Sequence, residues 1–402
     1  MAFETGPQFE LCVHPTQATT CWSNWGKSST PVNGYLVSCS SPLNSVFSHT
    51  YNNRRVLITG HTGFKGSWLA LWLNHLGADV SGFALAPETS PSHWELLAAD
   101  CTDIRGDIRD ALAVREAVQS SRPEVVFHLA AQPLVRRSYR DPLETWSTNV
   151  MGTANLLEAC GQSDTVRAVV VVTTDKCYEN REQVWGYRES DTLGGHDPYS
   201  ASKAAAEFVA ASYRRSYGNN DDFPLVATAR AGNVIGGGDW SEDRLIPDAA
   251  RAVAAEQSVE IRSPEATRPW QHVLECLSGY LLLGQRLLQG HGSIADAWNF
   301  GPGTDGNRTV GSVLRSMQSH WPNLQWHQTS AVQPHETTLL QLDSTRSQRL
   351  LNWQPVWTID QGLAATADWY HRFYRDGTVI SQEQLQAFIS AAQAKELPWA
   401  VS

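Results

Sequence analysis

Long apolar runs, paired cysteines and an excess of basic residues are all missing from this 402-residue sequence. No window approaches the roughly 18 consecutive apolar residues of a membrane-spanning helix, so the sequence predicts no span. The formal net charge of -10 excludes general attraction to nucleic acid, because phosphate contacts require clustered lysine and arginine. Any anionic ligand must therefore meet a local site.

Cysteine usage gives no sign of a metal site or a disulfide framework. The seven cysteines form no CxxC pair and no cluster with metal-ligand spacing, and their number is odd. The sequence therefore favours the reducing cytoplasm and predicts no metal. Hydrophobic residues make up 42% of the chain, enough for a large core in one α/β unit or in two closely joined lobes.

Three regions differ in composition and pattern. Residues 1–53 are rich in serine, threonine, asparagine and proline and lack the features of a signal peptide, which predicts a disordered extension. Residues 54–232 repeat short Val/Ala-rich runs and helical stretches, which predicts a Rossmann-type doubly wound parallel sheet that binds a dinucleotide. Residues 233–402 lack a strong strand series and are predicted to form a smaller substrate lobe with returning C-terminal helices.

Asp-Pro pairs mark two helix starts. Asp141 precedes Pro142, with Glu144 in place for a capping box, and Asp197 precedes Pro198 in the same way. The sequence therefore predicts that a helix begins directly after each aspartate.

A glycine-rich turn, TGHTGFKG, follows the first predicted strand and opens the first helix. Gly60, Gly63 and Gly66 would allow a tight turn and let backbone N–H groups approach a pyrophosphate at the helix N-terminus. A plain packing turn of an α/β protein is the alternative. The position of the turn, in the first strand-helix unit, favours the dinucleotide site.

The residues after the second strand do not decide between NAD and NADP. An acidic residue that binds the ribose is common there, but Ala84 occupies the expected place and Glu88 follows only after Pro87. Asp107, after the next short strand, would hold the adenine amino group or cap the following helix. Both interpretations of Asp107 stay open.

The string DPYSASK places Tyr199 and Lys203 four residues apart on a predicted helix, and therefore on one face of it. Lysine and nicotinamide cations near the phenol would favour the phenolate, which would make Tyr199 a general base near neutral pH. By itself, YxxxK is also typical of an exposed tyrosine beside a solvated lysine.

The glycine turn, the strand end TTDK and YxxxK, in this order and spacing, resemble the extended short-chain dehydrogenase/reductase family over residues 54–370 or so. The resemblance implies bound NAD, with Thr174 hydrogen-bonding the substrate hydroxyl, Tyr199 as acid/base and Lys203 holding the ribose. The residues that it implies for the cofactor are Gly60, Gly63, Phe64, Gly66, Asp107, Ile108, Ala130, Ala131, Asn149, Tyr199 and Lys203.

Longer strings, among them GHTGFKGSWL, DKCYEN, ARAGNVIGGGDW and RPWQHVLE, are similar to nucleotide-sugar 4,6-dehydratases, most closely to their CDP-glucose branch. The resemblance implies oxidation of carbon 4 of CDP-glucose, loss of water across carbons 5 and 6, and return of the hydride to carbon 6. It also implies a homodimer or higher homo-oligomer built on helices 142–160 and 198–216. The residues that it implies for the substrate are Asn233, Arg244, Leu245, Arg268 and Asn299, with weaker support for His335 and Glu336.

Elimination requires one group to remove the carbon-5 proton and another to protonate the departing hydroxyl. The dTDP-glucose relatives have Asp-Glu after the strand-end threonine, whereas this chain has Asp175 and Lys176. We expect desolvation to keep Asp175 protonated as the acid. Two hypotheses for the base stay open: Lys176 made neutral by nearby cations, or the Tyr199 phenolate with a charged Lys176 stabilising the enolate. A salt bridge between the two neighbours is the alternative without chemistry.

Three other functions are weighed against this one. An epimerase or a GDP-mannose dehydratase is the nearest, but an epimerase needs no Asp-Lys pair. A non-catalytic cofactor-sensing or RNA-binding member of the family would not need Thr174, Tyr199 and Lys203, and the negative charge opposes RNA binding. A plain sugar-nucleotide binding protein would form no keto product.

Overall fold

The structure is a computed structural model that describes residues 42–329 and 339–401. Its strands are β1 (Arg55–Thr59), β2 (Asp79–Ala84), β3 (Thr102–Arg105), β4 (Val125–His128), β5 (Ala168–Val172), β6 (Leu225–Ala231), β7 (Asn233–Ile235), β8 (Val259–Ile261), β9 (Thr267–His272), β10 (Ala297–Phe300), β11 (Asn307–Thr309) and β12 (Trp326–Gln328). Its α-helices are α1 (Phe64–His75), α2 (His93–Leu97), α3 (Ala111–Ser121), α4 (Val135–Arg140), α5 (Pro142–Trp146), α6 (Gly152–Gly161), α7 (Pro198–Tyr217), α8 (Leu245–Ala254), α9 (Val273–Leu288), α10 (Val310–His320), α11 (Thr345–Leu350), α12 (Ile359–Asp376), α13 (Ser381–Ala394) and α14 (Pro398–Val401).

A seven-stranded sheet forms the centre of the fold, in the spatial order β10-β6-β5-β4-β1-β2-β3. Every neighbouring pair in it is parallel. Two smaller sheets, β11-β9-β7 and β12-β8, are formed by the later part of the chain. The chain runs outward from β1 in one direction and from β4 in the other, which is the doubly wound arrangement. The predicted fold class is confirmed.

The strands read as continuous apolar runs because helices cover both faces of the sheet. Every residue of β4 and β5 is buried. Along β5, Val170 and Val172 join one apolar cluster, whereas Val169 and Val171 join the cluster on the opposite face. Trp68 and Trp72, predicted from their helical spacing to be core residues, are fully buried in the first cluster.

Both predicted helix starts are confirmed. The Asp141 carboxylate accepts the Glu144 amide at 2.9 Å, and the Asp197 carboxylate accepts the Ser200 amide at 2.9 Å. The reciprocal half of the predicted capping box is absent from α5, because the Glu144 side chain binds Arg137 instead. A π-helical turn at Ser147–Met151 joins α5 to α6.

The predicted extension is too long at its C-terminal end. Phe47 and Tyr51 are buried, and the Tyr51 hydroxyl donates to the Leu281 carbonyl of α9. The Phe47 ring stacks on Trp399 of α14 with their centroids 5.1 Å apart. The fold therefore includes the residues just before Arg54, whereas residues 1–41 of the predicted extension lie outside the described residues.

The predicted boundary at residue 232 does not divide the large sheet. Ala297–Phe300 forms β10 and pairs in parallel with β6, so the later part of the chain supplies the seventh strand. The chain from Pro42 onward forms one compact unit. Within the described ranges, the helices are too short or too polar to cross a membrane.

Candidate active site

A cleft of about 920 Å³ opens at the carboxyl ends of β1, β2, β4 and β5. It lies where the strand order reverses between β1 and β4, the usual ligand position of an open α/β sheet. Residues of β7, α8 and β9 form its other wall. The predicted residues that line it are Gly60, Gly63, Phe64, Gly66, Asp107, Ile108, Ala130, Ala131, Thr174, Asp175, Lys176, Tyr199, Lys203, Asn233, Arg244, Leu245 and Arg268.

The glycine turn brings β1, α1 and the β4 loop closer together than side chains would allow. Gly60 has φ of 78°, and a Cβ atom there would lie 2.6 Å from the Ala130 backbone nitrogen. A Cβ atom on Gly66 would lie 2.1 Å from the Gly60 carbonyl oxygen. Gly63 caps α1 without a side chain, so the first amides of the helix face the cleft unobstructed. This cradle fits the pyrophosphate of a dinucleotide.

Asn149 lies behind the cleft wall, and this corrects its predicted place along the cofactor path. Its Oδ1 accepts the Gln132 amide at 2.8 Å, and its Nδ2 donates to the Gln132 carbonyl at 3.1 Å and to the Ser202 hydroxyl at 2.8 Å. These bonds occupy the whole buried amide. Asn149 therefore fixes the loop that carries Ala130 and Ala131, which themselves line the cleft.

Asp107 does not cap the helix that follows it. The N-cap of α3 is Asp110, whose carboxylate accepts the amides of Leu112 and Ala113. Asp107 instead lines the cleft and binds the guanidinium of Arg109, which lowers the pKa of its carboxyl group. The helix-cap interpretation is wrong, and the adenine contact stays a prediction.

The wall after β2 holds an ion pair instead of a free carboxylate. Glu88 binds Arg137 at 3.0 Å, and both residues line the cleft. Ala84 is paired in register with Arg105 of β3, whose Nη1 donates to the Leu85 carbonyl at 2.9 Å.

The end of β5 turns sharply into the cleft. Thr174 caps a short 3₁₀ turn, Asp175–Cys177, by accepting the Lys176 amide at 3.3 Å. Its hydroxyl donates to Oδ1 of Asp175 at 2.9 Å. In the described part of the chain, the structure records no ion pair between Asp175 and Lys176, so the salt-bridge alternative finds no support in it.

Asp175 is a buried carboxyl group with one idle oxygen. It is 1% exposed, and its Oδ2 has no hydrogen-bond partner among the described residues. Burial raises the pKa of Asp175, although Lys176, Thr174, Arg268 and Lys65 each act to lower it. The predicted direction of the shift agrees with this environment.

Tyr199 and Lys203 project from one face of α7 into the cleft, as their spacing predicts. The Lys203 ammonium donates to the Val172 carbonyl at 3.2 Å. Burial raises the pKa of Tyr199 to about 12, opposed by the nearby Thr174 side chain and by the charge of Arg244. Burial also lowers the pKa of Lys203 to about 8.

The opposite wall of the cleft carries two arginines, Arg244 and Arg268. Arg244 precedes α8 and binds Asp239 at 3.1 Å. Arg268 of β9 is 5% exposed and donates to the Thr267 carbonyl at 2.9 Å. Asn233 begins β7, is only partly buried and lines the cleft. Guanidinium groups here suit a diphosphate.

Asn299 does not reach the cleft, which corrects its prediction as a substrate residue. It is fully buried, its Oδ1 accepts the Tyr178 hydroxyl at 2.8 Å, and its Nδ2 donates to the carbonyls of Tyr187 and Asp343. No polar atom of its amide is left for a ligand. The weaker candidates, His335 and Glu336, lie outside the described residues.

Two features of the cleft were missed by sequence reasoning. Lys65 of the glycine turn lines the cleft with its ammonium 6.0 Å from the Tyr280 ring, and burial lowers its pKa. At the mouth of the cleft, Arg136 and Arg262 both bind Oδ1 of Asp243 at 3.1 Å. In the sequence, the lysine inside the glycine turn and the adjacent Arg136 and Arg137 of HLAAQPLVRRSY could have indicated these cationic groups.

Residues 57–366 match the model of the GDP-mannose 4,6-dehydratase family. The chain belongs to this family. The predicted resemblance to nucleotide-sugar dehydratases is thereby confirmed.

Individual members are similar over most of the chain. A CDP-glucose 4,6-dehydratase of Salmonella typhimurium is 45% identical over 350 residues, covering 85% of this chain and 98% of that protein. A dTDP-glucose 4,6-dehydratase of Streptomyces griseus is 31% identical, covering 79% of this chain and 94% of that protein. The crystal structure of DesIV, a dTDP-glucose 4,6-dehydratase from Streptomyces venezuelae with NAD and TYD bound, is 25% identical with a TM-score of 0.67, covering 80% of this chain and 99% of that chain.

Proposed function

We propose that this protein is a CDP-glucose 4,6-dehydratase, which converts CDP-glucose to CDP-4-keto-6-deoxyglucose and water with NAD as cofactor. The 45% identity to an enzyme of that name supports the substrate. The observation that carries the reaction type is Asp175, a buried carboxyl group of raised pKa with an idle oxygen beside Thr174 and the cleft. A dehydrogenase without elimination has no need of such a group.

The cofactor half of the cleft fits NAD. The turn at Gly60 and Gly66 leaves room only for backbone beside the β4 loop, and the amides at the start of α1 suit a pyrophosphate. Lys203 would bind the ribose of NAD, and Asp107 would bind the adenine. When bound, NAD supplies the hydride acceptor for carbon 4 and the hydride donor for carbon 6.

Thr174 and Tyr199 would bind and deprotonate the carbon-4 hydroxyl of the sugar. Both line the cleft, and Thr174 acts to lower the pKa of the Tyr199 phenol, so the two side chains are close enough for one hydroxyl of the sugar to contact both. Tyr199 would take the hydroxyl proton while Thr174 holds the oxygen in place. Burial, which raises the pKa of Tyr199 to about 12, opposes this role, whereas Thr174 and Arg244 favour it.

Asp175 would protonate the hydroxyl that leaves carbon 6. Burial favours its protonated form, and a protonated carboxyl group has an O–H to donate. Its Oδ1 is already bound to Thr174, which leaves Oδ2 for the donation. This geometry supports Oδ2 of Asp175 as the proton donor in the elimination.

Two candidates for the base lie in the cleft. Lys176 follows Asp175 directly and is only partly buried, and Tyr199 is the alternative. In a Lys176→Met variant, loss of carbon-5 hydrogen exchange with solvent is expected if Lys176 removes the proton. Exchange at the wild-type rate would assign the base role to Tyr199.

We also propose a homodimer in the cytoplasm. Large apolar side chains are exposed along the 142–161 helical run and on α7: Leu143 (79%), Trp146 (39%), Met151 (55%) and Phe208 (59%). Such clusters favour a protein interface. The described cysteines are all free, as a reducing compartment would keep them. Light scattering measures the mass, and a monomer would contradict the dimer.

The function is tested by offering the protein NAD with CDP-, dTDP-, GDP- or UDP-glucose, each separately. Only CDP-glucose is expected to give the alkaline chromophore of a 4-keto-6-deoxy sugar. Turnover of another nucleotide sugar alone would overturn the substrate. Epimerisation without loss of water would overturn the reaction type.

A further inference from the structure

A buried ion pair lies directly behind the end of β5. Glu207 of α7 and Arg230 of β6 are each 2% exposed. The Arg230 Nε and Nη2 donate to the two carboxylate oxygens of Glu207, both at 2.9 Å. The proposed chemistry uses neither residue. Desolvation offsets much of the attraction in a buried pair, so stability alone is a weak explanation for it.

Glu207, one member of this pair, binds Thr173, the residue that precedes Thr174. The Thr173 hydroxyl donates to Oε1 of Glu207, and the Thr228 hydroxyl donates to Oε2 at 2.7 Å. The Thr173 amide also donates to the Ala229 carbonyl at 2.9 Å. The chain is therefore held from both backbone and side chain just before it enters the cleft.

The other side of the pair binds the residue that follows the 3₁₀ turn. The Arg230 Nη1 donates to the Tyr178 hydroxyl at 2.8 Å, and the guanidinium lies 4.9 Å from the centre of the Tyr178 ring. The Tyr178 hydroxyl in turn donates to Asn299 at 2.8 Å. Asn299, which does not reach the cleft, thus has a role as an anchor for Tyr178.

We propose that Glu207 and Arg230 form a clamp that positions Asp175 and Lys176 by holding Thr173 on one side of them and Tyr178 on the other. The proposal rests on the proposed function, because only an elimination needs those two side chains in fixed places. Thr173, Tyr178, Glu207 and Arg230 are positioning residues, since none of them touches the reacting atoms.

The helix that supplies Glu207 also supplies the reacting phenol. Tyr199, Lys203 and Glu207 follow one another at four-residue steps on α7, so they share one face. A contact between Glu207 and Thr173 therefore sets the distance between Tyr199 and the strand end. Burial raises the pKa of Glu207, but Arg230 and the two threonine hydroxyls together lower it further, so the net shift favours the carboxylate.

Tyr178→Phe is the sharpest variant, because it removes one hydroxyl from the clamp and leaves the charged pair intact. The matched control is Tyr187→Phe. The Tyr187 ring stacks on Tyr178 with centroids 5.2 Å apart, but its hydroxyl contacts Asn180 and the Arg181 amide instead of Arg230.

Isotope effects separate elimination from oxidation. Tyr178→Phe is expected to lower kcat for CDP-glucose by ten- to a hundredfold, because displaced acid and base groups slow the elimination. For the same reason, the isotope effect on kcat with CDP-glucose deuterated at carbon 5 is expected to be larger than in the wild type. With deuterium at carbon 4, the isotope effect is expected to shrink. Tyr187→Phe should match the wild type in all three measurements. Equal isotope effects in the two variants would overturn the clamp.

Amide hydrogen exchange tests the clamp without turnover. The amides of residues 175–178 are expected to exchange faster in Tyr178→Phe than in Tyr187→Phe, in protein without cofactor or substrate. Equal exchange overturns the clamp even if both variants are active. A wild type that fails to convert CDP-glucose overturns the proposed function, and the exchange result then decides the clamp by itself.

Discussion

Arginine-carboxylate pairs lie behind the inner end of the cleft and at its mouth, but water reaches only the pairs at the mouth. The side chains of Arg230 and Glu207 at the inner end are 3% and 2% exposed. At the mouth, the side chains of Arg136, Asp243 and Arg262 are 40%, 27% and 32% exposed. The same type of ionic contact therefore occurs in two environments, one buried behind the cleft and one exposed at its mouth.

The two kinds of pair differ in the free energy that is lost when the charged groups separate. Breaking a buried pair leaves a charge without a partner and costs about 3–5 kcal/mol, whereas an exposed pair contributes about 0–1 kcal/mol. The inner pair is thus suited to fixing reacting groups. The mouth, where two guanidinium groups share one oxygen of Asp243, is suited to exchanging a protein anion for a ligand phosphate.

The largest effect is expected from Asp175→Asn at the inner end. The variant keeps the shape of the side chain but cannot supply the proton to the departing hydroxyl, so product formation should fall by about 10²- to 10⁴-fold. Steady-state kinetics with CDP-glucose measure the fall. Binding of CDP, followed by calorimetry, serves as the control and should be unchanged. Activity within threefold of the wild type would contradict the acid role.

A pH titration distinguishes Lys203 from the arginines of the cleft, because only the lysine loses its charge as the pH rises. Burial, and then the charge of Lys65, lower the pKa of Lys203 to about 8, whereas arginines stay charged throughout. The affinity for NAD should therefore fall as the pH rises above about 8, by at most about tenfold per pH unit. Fluorescence titration of NAD at several pH values measures this. Constant affinity up to pH 10 or so would contradict the role of the Lys203 ammonium.

The titration of Lys203 also changes the free energy of unfolding, and the sign of this change is defined. Between about pH 8 and the ordinary lysine pKa near 10.4, the unfolded chain holds a proton that folded Lys203 has lost. The unfolded state binds more protons, so the contribution of Lys203 to the free energy of unfolding rises with pH in that window. Below about pH 8 both states are protonated, and the contribution is constant and least favourable.

The smallest effect is expected from Asp243→Asn at the mouth. The free energy of unfolding should change by less than about 1 kcal/mol, and kcat by less than about twofold, because the pairs are exposed. The KM for CDP-glucose should fall at low salt, since both arginines lose a competing anion. Asp164→Asn is the control, because its pair with Arg122 is exposed and Asp164 does not line the cleft. An unchanged KM at low salt would contradict the exchange of anions.

Signals that depend on near neighbours in the sequence were sufficient for much of the site. The turn at Gly60 and Gly66 and the four-residue step from Tyr199 to Lys203 are local, so pattern and spacing placed all four on the cleft. The direction of the Asp175 pKa shift followed from its position at the end of a buried strand. Their catalytic and binding roles stay predictions.

Errors arose where the deciding partner is distant in the sequence. Tyr51 is buried because it meets Leu281, a separation of 230 residues that no local composition reveals. Asn299 looks like a free amide in the sequence, but three distant groups occupy it. The clamp was missed for the same reason, although Glu207, one helical turn after Lys203, was a carboxylate on the buried face of α7.

The stacking of Phe47 on Trp399 also bears on when the fold is completed during synthesis. Phe47 is among the first described residues to leave the ribosome, and Trp399 is among the last. The aromatic surface that Trp399 covers must wait until every element from β1 to α14 has been translated. The segment before β1 therefore completes its packing only after α14 has been synthesised, and until then the nascent protein carries an exposed aromatic cluster.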